Sequence, residues 1–324
     1  MLEKRIFEIS DEDEFEALAL EVFEHQFSNN KVYQKFCELL NRKPGDVTTL
    51  KNIPFLPIEF FKTKKVISDD RIPQITFTSS GTTGSVTSKH HVTDLRLYEE
   101  SFLKTFNRFY GKPSDYTFLA LLPSYLERKG SSLIYMADHL IKSSGNKDSG
   151  FYLDDLDSLS EKLNKLDAGG KKVFLIGVSF ALLDLIEKRQ FHLENTVIME
   201  TGGMKGRRKE MIRQELHHHL KNGFGVEKIH SEYGMTELLS QAYSKGDGVF
   251  DCPPWMHMLI RDPEDALSLL PDGKTGGINV IDLANLNSCS FIATQDLGRI
   301  NNQEIEILGR FDNSDVRGCN LLLL

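Results

Sequence analysis

The segment from Thr78 to Lys89 is built from the residue types that bind phosphate. It reads Thr-Ser-Ser-Gly-Thr-Thr-Gly-Ser-Val-Thr-Ser-Lys and follows Ile75–Thr78, a run that predicts a strand. Glycines let a backbone approach phosphate oxygens, N–H groups and hydroxyls donate hydrogen bonds, and a lysine adds positive charge. The segment lacks the GxxxxGK[ST] pattern of the P-loop. It predicts a phosphate-binding loop, and the alternative is a surface loop that binds nothing.

A second candidate segment lies much later in the chain and reads Ile-His-Ser-Glu-Tyr-Gly-Met-Thr-Glu over residues 229–237. The pattern predicts a strand that ends at Tyr233 and Gly234, followed by Thr236 and Glu237. Taken by itself, Glu237 would be an acidic residue at a helix N-terminus, where the helix dipole stabilises it.

Together with three shorter segments, these two resemble in order the signatures of the adenylate-forming superfamily of acyl-CoA synthetases, adenylation domains and luciferases. The shorter segments are Gly202–Gly203, the Thr-Gln-Asp-Leu-Gly-Arg run at 294–299, and Leu-Gly-Arg-Phe-Asp at 308–312 with Arg317–Gly318. The resemblance spans residues 75 to 318. It implies an α/β fold of helix-covered, largely parallel sheets with a small antiparallel β lobe.

The resemblance also implies an activity, the formation of an acyl-adenylate from a carboxylic acid and ATP with Mg²⁺. Glu237 would bind Mg²⁺, Thr236 the α-phosphate, and Asp296 the ribose hydroxyls, with Arg310 close by. Tyr233 would stack on adenine. The implied nucleotide-binding residues are Thr78, Ser79, Ser80, Gly81, Thr82, Thr83, Gly84, Gly202, Gly203, Tyr233, Gly234, Asp296 and Arg310. Lys89 is the candidate loop lysine, although the family loop usually ends Gly-x-Pro-Lys and this one does not.

The end of the chain indicates which family within the superfamily the sequence resembles. Family members usually carry a mobile C-terminal lid domain after the hinge, and only six residues follow Gly318, so we expect the lid to be absent. In this feature and in the proline-rich entry Ile53–Lys62, the chain is similar to the LuxE-like acyl-protein synthetases of bacterial bioluminescence. Those enzymes load an activated fatty acid on a cysteine near their C-terminus and pass it to an acyl reductase. The resemblance makes Cys319 the candidate carrier, whereas the alternative is a small residue packed in a terminal strand.

Two other functions stay open at this point. The chain would fit an acyl- or aryl-CoA ligase of reduced size, similar to phenylacetate-CoA ligases, which would release acyl-CoA. It would also fit a nucleotide-binding scaffold that kept the loops and lost turnover.

The elements that must position these residues follow from hydrophobic periodicity. Residues 11–40 predict two helices, and Ile53–Lys62, with two prolines, predicts an extended segment. Short β-branched runs then alternate with helical patterns, which indicates a helix-covered parallel sheet. The runs taken as its strands are Ile75–Thr78, 117–122, 173–177 and 196–199. We predict one domain, with a helical entry at 1–70, an α/β nucleotide-binding part at 71–250 and a β-rich part at 251–324.

Composition excludes several classes of protein. The net charge of −8 provides no general attraction for nucleic acid, and no apolar stretch approaches the length of about 20 residues that a membrane helix needs. The four scattered cysteines predict free thiols and a cytoplasmic protein. The run His217–His219 predicts a solvated helix face, because consecutive helical residues cannot converge on one metal ion.

Overall fold

A computed structural model describes residues 2–79, 86–123, 130–202, 208–209 and 211–311. The chain folds as two compact units that interleave in sequence. The first unit contains Met1–Tyr98, Glu237–Ser240 and Phe250–Leu324, and the second contains Glu99–Thr236 and Gln241–Val249. The predicted division of a single domain at residues 70 and 250 stays a prediction.

Most of the second unit is a six-stranded sheet covered by helices. Its strand order is β5-β4-β6-β7-β8-β9, and all neighbours are parallel except β8 and β9. The strands are β4 (Thr117–Leu121), β5 (Gly150–Phe151), β6 (Val173–Val178), β7 (Thr196–Thr201), β8 (His230–Tyr233) and β9 (Ala242–Ser244). Every residue of β4 and β6 is buried, as expected for parallel strands covered on both faces. The predicted parallel sheet is confirmed.

The helices of this unit alternate with its strands. They are α6 (Ser132–Ser144), α7 (Leu156–Ala168), α8 (Ser179–Lys188) and α9 (Arg213–Phe224), preceded by α5 (Leu95–Tyr110). Because β6, β7 and β8 run parallel, their carboxyl ends lie at one edge of the sheet. That edge carries Thr201 and Gly202 after β7, and Tyr233 and Gly234 at the end of β8.

The first unit contains a mainly antiparallel sheet, which confirms the predicted β lobe. Strands β10-β14-β13-β12-β11 follow one another, and β1 adds a short parallel pairing to β13. The strands are β1 (Leu56–Pro57), β10 (Val249–Phe250), β11 (Met256–Arg261), β12 (Thr275–Asp282), β13 (Phe291–Asn301) and β14 (Glu304–Arg310).

A separate two-stranded hairpin in the first unit corrects one prediction. Strand β2 (Ile75–Thr78) pairs antiparallel with β3 (Lys89–Val92) and with no strand of the parallel sheet. A short β-branched run predicts a strand but carries no information on its partner. The prediction that β2 belongs to the parallel sheet is therefore wrong. The consequence is that Thr78 lies directly opposite Lys89, with the glycine-rich loop between them.

Helices α2 (Glu12–Asn29) and α3 (Lys31–Leu39) confirm the two helices predicted over residues 11–40, and they are preceded by a short helix that was not predicted, α1 (Leu2–Ile6). The Asn30 side chain accepts hydrogen bonds from the first backbone N–H groups of α3, which fixes the break between the two longer helices. The prediction for Ile53–Lys62 is wrong at its end, because a short helix α4 (Phe60–Thr63) follows β1. The last proline is Pro57, and beyond it nothing prevents helical hydrogen bonds.

Among the described residues, no helix is both long and apolar enough to cross a membrane. The three cysteines in the same ranges, Cys37, Cys252 and Cys289, are free thiols, as predicted.

Candidate active site

The base of the glycine-rich loop is closed by a pair of serines. The backbone N–H of Ser79 donates to the Ser88 carbonyl at 3.1 Å, and the Ser88 N–H donates to Ser79 Oγ at 2.9 Å. These bonds extend the β2–β3 hairpin by one pair, so the loop leaves from a fixed stem. Lys89 is exposed at the first position of β3. The predicted phosphate-binding residues Ser80, Gly81, Thr82, Thr83 and Gly84 lie outside the described residues.

Glu237 lies against this stem. Its carboxylate is hydrogen-bonded to the Ser88 side chain, and the relative exposures of the two residues are 5% and 2%. Burial raises the pKa of Glu237, while the Ser88 hydrogen bond and the charges of Arg310 and Lys62 oppose that rise. Residues 236 and 237 form a turn and begin no helix. The alternative interpretation of Glu237 as a helix-terminal acid is therefore wrong.

Asp296 and Arg310 face each other across β13 and β14. They are register partners, and Arg310 Nε lies 3.6 Å from Asp296 Oδ1. The Arg310 side chain is 83% exposed and that of Asp296 is 13% exposed, so the guanidinium is available to a ligand. The first unit thus brings together three of the predicted residues, Glu237, Asp296 and Arg310.

Sequence reasoning missed two residues of this group. Ser88 lies within the glycine-rich segment and Lys62 ends the proline-rich entry, but the sequence pattern indicates no role for either residue. Both influence the Glu237 carboxylate. A lysine directly after a run of apolar and proline residues was the available signal for Lys62.

The second unit places its predicted residues at the carboxyl ends of β7 and β8. Gly202 has a φ of +69°, a conformation that favours glycine, and its carbonyl accepts a hydrogen bond from Ser179 Oγ at 2.8 Å. Tyr233 is buried, with 9% exposure. Gly234 follows it, and Thr236 lies in the next turn. The predicted Gly203 is outside the described residues.

Two buried glutamates, Glu200 and Glu232, support this edge of the sheet. Burial raises the pKa of Glu232 to about 7, and the neighbouring Glu200 adds to the rise, whereas a hydrogen bond from Thr201 opposes it. Burial also disfavours charge on Glu200. Its pKa is nevertheless lowered, because a hydrogen bond from His217, the charge of Arg213 and a further hydrogen bond outweigh burial.

His217 corrects the prediction of a fully solvated helix face. His218 and His219 are exposed, but His217 has 6% exposure. Its Nε2 lies 3.5 Å from Glu200 Oε1 and 3.2 Å from Ser231 Oγ. The run crosses from the buried to the exposed side of α9 because neighbouring helical residues point about 100° apart.

The residues around Glu237 fit a Mg²⁺ ion that has one protein carboxylate as ligand and is otherwise bound by waters and substrate phosphates. Within the described ranges, no group of three or more His, Cys, Asp or Glu side chains could hold a metal ion. Mg²⁺ is usually bound by one or two carboxylates, waters and substrate phosphates. A single carboxylate beside a candidate phosphate loop meets that requirement, and the cations Lys62 and Arg310 suit additional phosphate charge.

The fold is that of the adenylate-forming enzymes. An open 2-hydroxyisobutyryl-CoA ligase, solved with 2-HIB-AMP and CoA, superposes with a TM-score of 0.69 at 13% identity, over 94% of this chain and 72% of that one. ATP-bound MatB from Rhodopseudomonas palustris superposes with a TM-score of 0.55 at 20% identity, over 75% of this chain and 49% of that one. The match to MatB therefore spans about half of its length.

The family described as "Acyl-protein synthetase, LuxE" matches residues 1–108 and 140–324, and the chain belongs to that family. A relative from Vibrio harveyi, the long-chain-fatty-acid–luciferin-component ligase, is 25% identical over 325 residues, covering 92% of this chain and 84% of that protein. The family predicted from the sequence is confirmed, and with it the class of enzyme, an AMP-forming ligase.

Proposed function

We propose that this protein activates a long-chain fatty acid with ATP and Mg²⁺ to form an acyl-adenylate, and then transfers the acyl group to a cysteine thiol for delivery to a partner such as an acyl reductase. The observation that carries the first step is the contact of Glu237 with Ser88 at the stem of the glycine-rich loop. Family membership and the name of the V. harveyi relative support the fatty acid as substrate.

In the first step, a carboxylate oxygen of the acid attacks the α-phosphorus of ATP, and the bond from that phosphorus to pyrophosphate breaks. Glu237 would hold Mg²⁺, which neutralises charge on the phosphate chain. The loop from Thr78 to Gly84 would bind the β and γ phosphates. Arg310 and Asp296 would lie at the nucleotide, with Asp296 accepting hydrogen bonds from the ribose hydroxyls. Lys89, at the loop end, would add charge.

Tyr233 would stack on adenine beside the backbone of Gly202 and Gly203. This is supported by Tyr233 ending β8 and Gly202 following β7, because these two strands are parallel neighbours. Thr236 would bind the α-phosphate. The positive φ of Gly202 lets the backbone turn sharply there, which gives a flat ligand close access to the main chain.

In the second step, a thiolate attacks the acyl carbonyl, and AMP leaves as the bond from the acyl carbon to its oxygen breaks. Burial raises the pKa of both Cys37 and Cys252 to about 12, and it also raises that of Cys289. At such a pKa only roughly one thiol in 100,000 is ionised at pH 7. The cysteines of the described residues are therefore poor nucleophiles, which supports Cys319, outside those residues, as the acyl carrier.

Two experiments test the two steps. ATP–pyrophosphate exchange over a panel of carboxylic acids should be stimulated most by long-chain fatty acids, and exchange with no acid of the panel would contradict the first step. Incubation with labelled fatty acid and ATP should then label the wild type but not Cys319→Ser, through a bond that hydroxylamine cleaves. Equal labelling of both proteins would contradict the role of Cys319 as acyl carrier.

A CoA ligase remains the second candidate, because the 2-hydroxyisobutyryl-CoA ligase fold covers 94% of this chain. It predicts that adding CoA to the exchange mixture releases soluble acyl-CoA while no protein adduct forms.

A further inference from the structure

The short segment Glu237–Ser240 is fixed to the rest of the first unit by a carboxylate at the end of β12. Asp282 Oδ2 accepts hydrogen bonds from the backbone N–H groups of Leu239 at 2.7 Å and Ser240 at 3.0 Å. Asp282 Oδ1 accepts a third from Ser240 Oγ at 2.6 Å. Asp282 is fully buried. A buried carboxylate with three donors holds the segment at a defined position.

Asn285, one turn further along, contacts Glu237 itself. Its Nδ2 donates to the Glu237 carbonyl at 2.8 Å, and its Oδ1 lies 3.0 Å from His90 Nε2. Because a carbonyl only accepts, the first bond fixes the orientation of the Asn285 amide. The amide oxygen can then only accept, so His90 Nε2 carries the proton. Both Asn285 and His90 are buried, and Asn285 is thus held on two sides.

These bonds matter because of where the segment lies in the chain. Glu237–Ser240 belongs to the first unit, while the residues on both sides of it belong to the second. Its place in the first unit therefore depends on its own contacts there. A shift of about 1 Å in a catalytic group can cost on the order of a hundredfold in rate.

We propose that Asn285 and Asp282 are positioning residues, which hold the Glu237–Ser240 backbone so that the Glu237 carboxylate stays against Ser88, in place for its metal. This inference rests on the proposed role of Glu237 in adenylation. Asp282 ends β12 and Asn285 follows it. If these two buried side chains only packed the core, replacing them would not change the affinity for the metal.

The test replaces the Asn285 amide, which donates to the Glu237 carbonyl, with a group of nearly the same shape that cannot donate when ionised. Asn285→Asp puts an oxygen opposite the Glu237 carbonyl, and Asn287→Asp is the matched control, since Asn287 accepts from Arg71 Nη1 at 3.4 Å and is not bonded to the segment. Mn²⁺ binding is titrated by electron paramagnetic resonance with a non-hydrolysable ATP analogue. Asn285→Asp should weaken Mn²⁺ binding by about tenfold or more. Asn287→Asp should bind Mn²⁺ as tightly as the wild type, and both variants should keep the wild-type affinity for nucleotide without metal.

Two further variants make the outcome decisive. Asp282→Asn removes one of the acceptors of the segment and should also weaken Mn²⁺ binding, at a temperature where its melting curve shows it folded. Glu237→Gln tests the proposed site itself. If Glu237→Gln binds Mn²⁺ as tightly as the wild type, the metal site and this inference both fail. If Glu237→Gln loses Mn²⁺ while folded Asn285→Asp and Asp282→Asn keep wild-type affinity, only the positioning role is overturned.

Discussion

The Ser88 hydroxyl is hydrogen-bonded to the Glu237 carboxylate, and this contact joins the two most informative segments of the sequence. Ser88 is also bonded through its backbone to Ser79, at the base of the glycine-rich loop. The described base of the candidate phosphate loop and the candidate metal ligand Glu237 thus share one hydrogen-bonded stem. Both residues are buried, so the contact is shielded from bulk water, where a single hydrogen bond to a charged group would count for less.

We predict that Ser88→Ala moves the acid limb of the pH–rate profile for pyrophosphate exchange to higher pH. The Ser88 hydrogen bond lowers the pKa of Glu237, so its loss makes the carboxylate protonate at higher pH and lose its charge earlier as pH falls. The control is Ser268→Ala, because Ser268 Oγ donates to another carboxylate, that of Asp265, at 2.6 Å on the exposed surface. An acid limb that moves equally in both variants, or in neither, contradicts the assignment.

Glu232 should make the protein less stable as pH rises. Its pKa in the folded protein is about 7, above the usual value of 4.5, so the folded state binds the extra proton between these values. That stabilisation is complete below pH 4.5 and is lost as pH rises through 7. Glu232→Gln should remove on the order of 2 kcal/mol of this decline in the free energy of unfolding between pH 5 and pH 8.

Urea unfolding at several pH values measures this effect. Glu227→Gln is the control, since Glu227 is exposed in the same unit, and its pH dependence should match that of the wild type. A Glu232→Gln protein with the wild-type pH dependence would show that Glu232 is charged in the folded state.

Gly234→Ala should disturb the Glu232 carboxyl. A Cβ built on Gly234 would overlap Glu232 Oε1 and lie 3.3 Å from Gln241 Cγ, so the carboxyl must shift from the position in which its Oε2 accepts from Thr201. We expect a loss of about 1–3 kcal/mol in the free energy of unfolding from the unpaired buried group. Gly273→Ala is unsuitable as a control because φ is +79° there, but Gly150 has open space around it and no positive φ. Gly150→Ala should be nearly neutral, and equal losses in both variants would contradict the explanation.

The sequence predicted the parts of the molecule that local patterns encode. Periodicity indicated the helices around Phe15 and Tyr33, and the fully apolar runs of β4 and β6 indicated a covered parallel sheet. Glu237 could be proposed from the sequence because its motif is contiguous. Ser88, Lys62 and Asn285 could not, because their interactions with Glu237 join segments that are distant in the sequence and that no spacing rule describes.

The burial of single polar residues could not be predicted from the sequence either. His217 looks like its two neighbours in the sequence, yet only His217 meets Glu200 and Ser231 inside the second unit. The partner of β2 was missed for the same reason, since pairing is decided by the tertiary fold and not by β propensity.

The proposed role of Glu237 in forming a fatty acyl-adenylate can be measured by quantifying that product in a single turnover. Wild type, Glu237→Gln and the exposed control Glu304→Gln are mixed with Mg²⁺-ATP and a labelled long-chain fatty acid, then quenched and separated. We expect wild type and Glu304→Gln to form acyl-adenylate at the same rate. A folded Glu237→Gln should form it at least about a hundredfold more slowly, which is on the order of 3 kcal/mol in activation free energy. Acyl-adenylate formed by Glu237→Gln at the wild-type rate would show that Glu237 does not take part in adenylation.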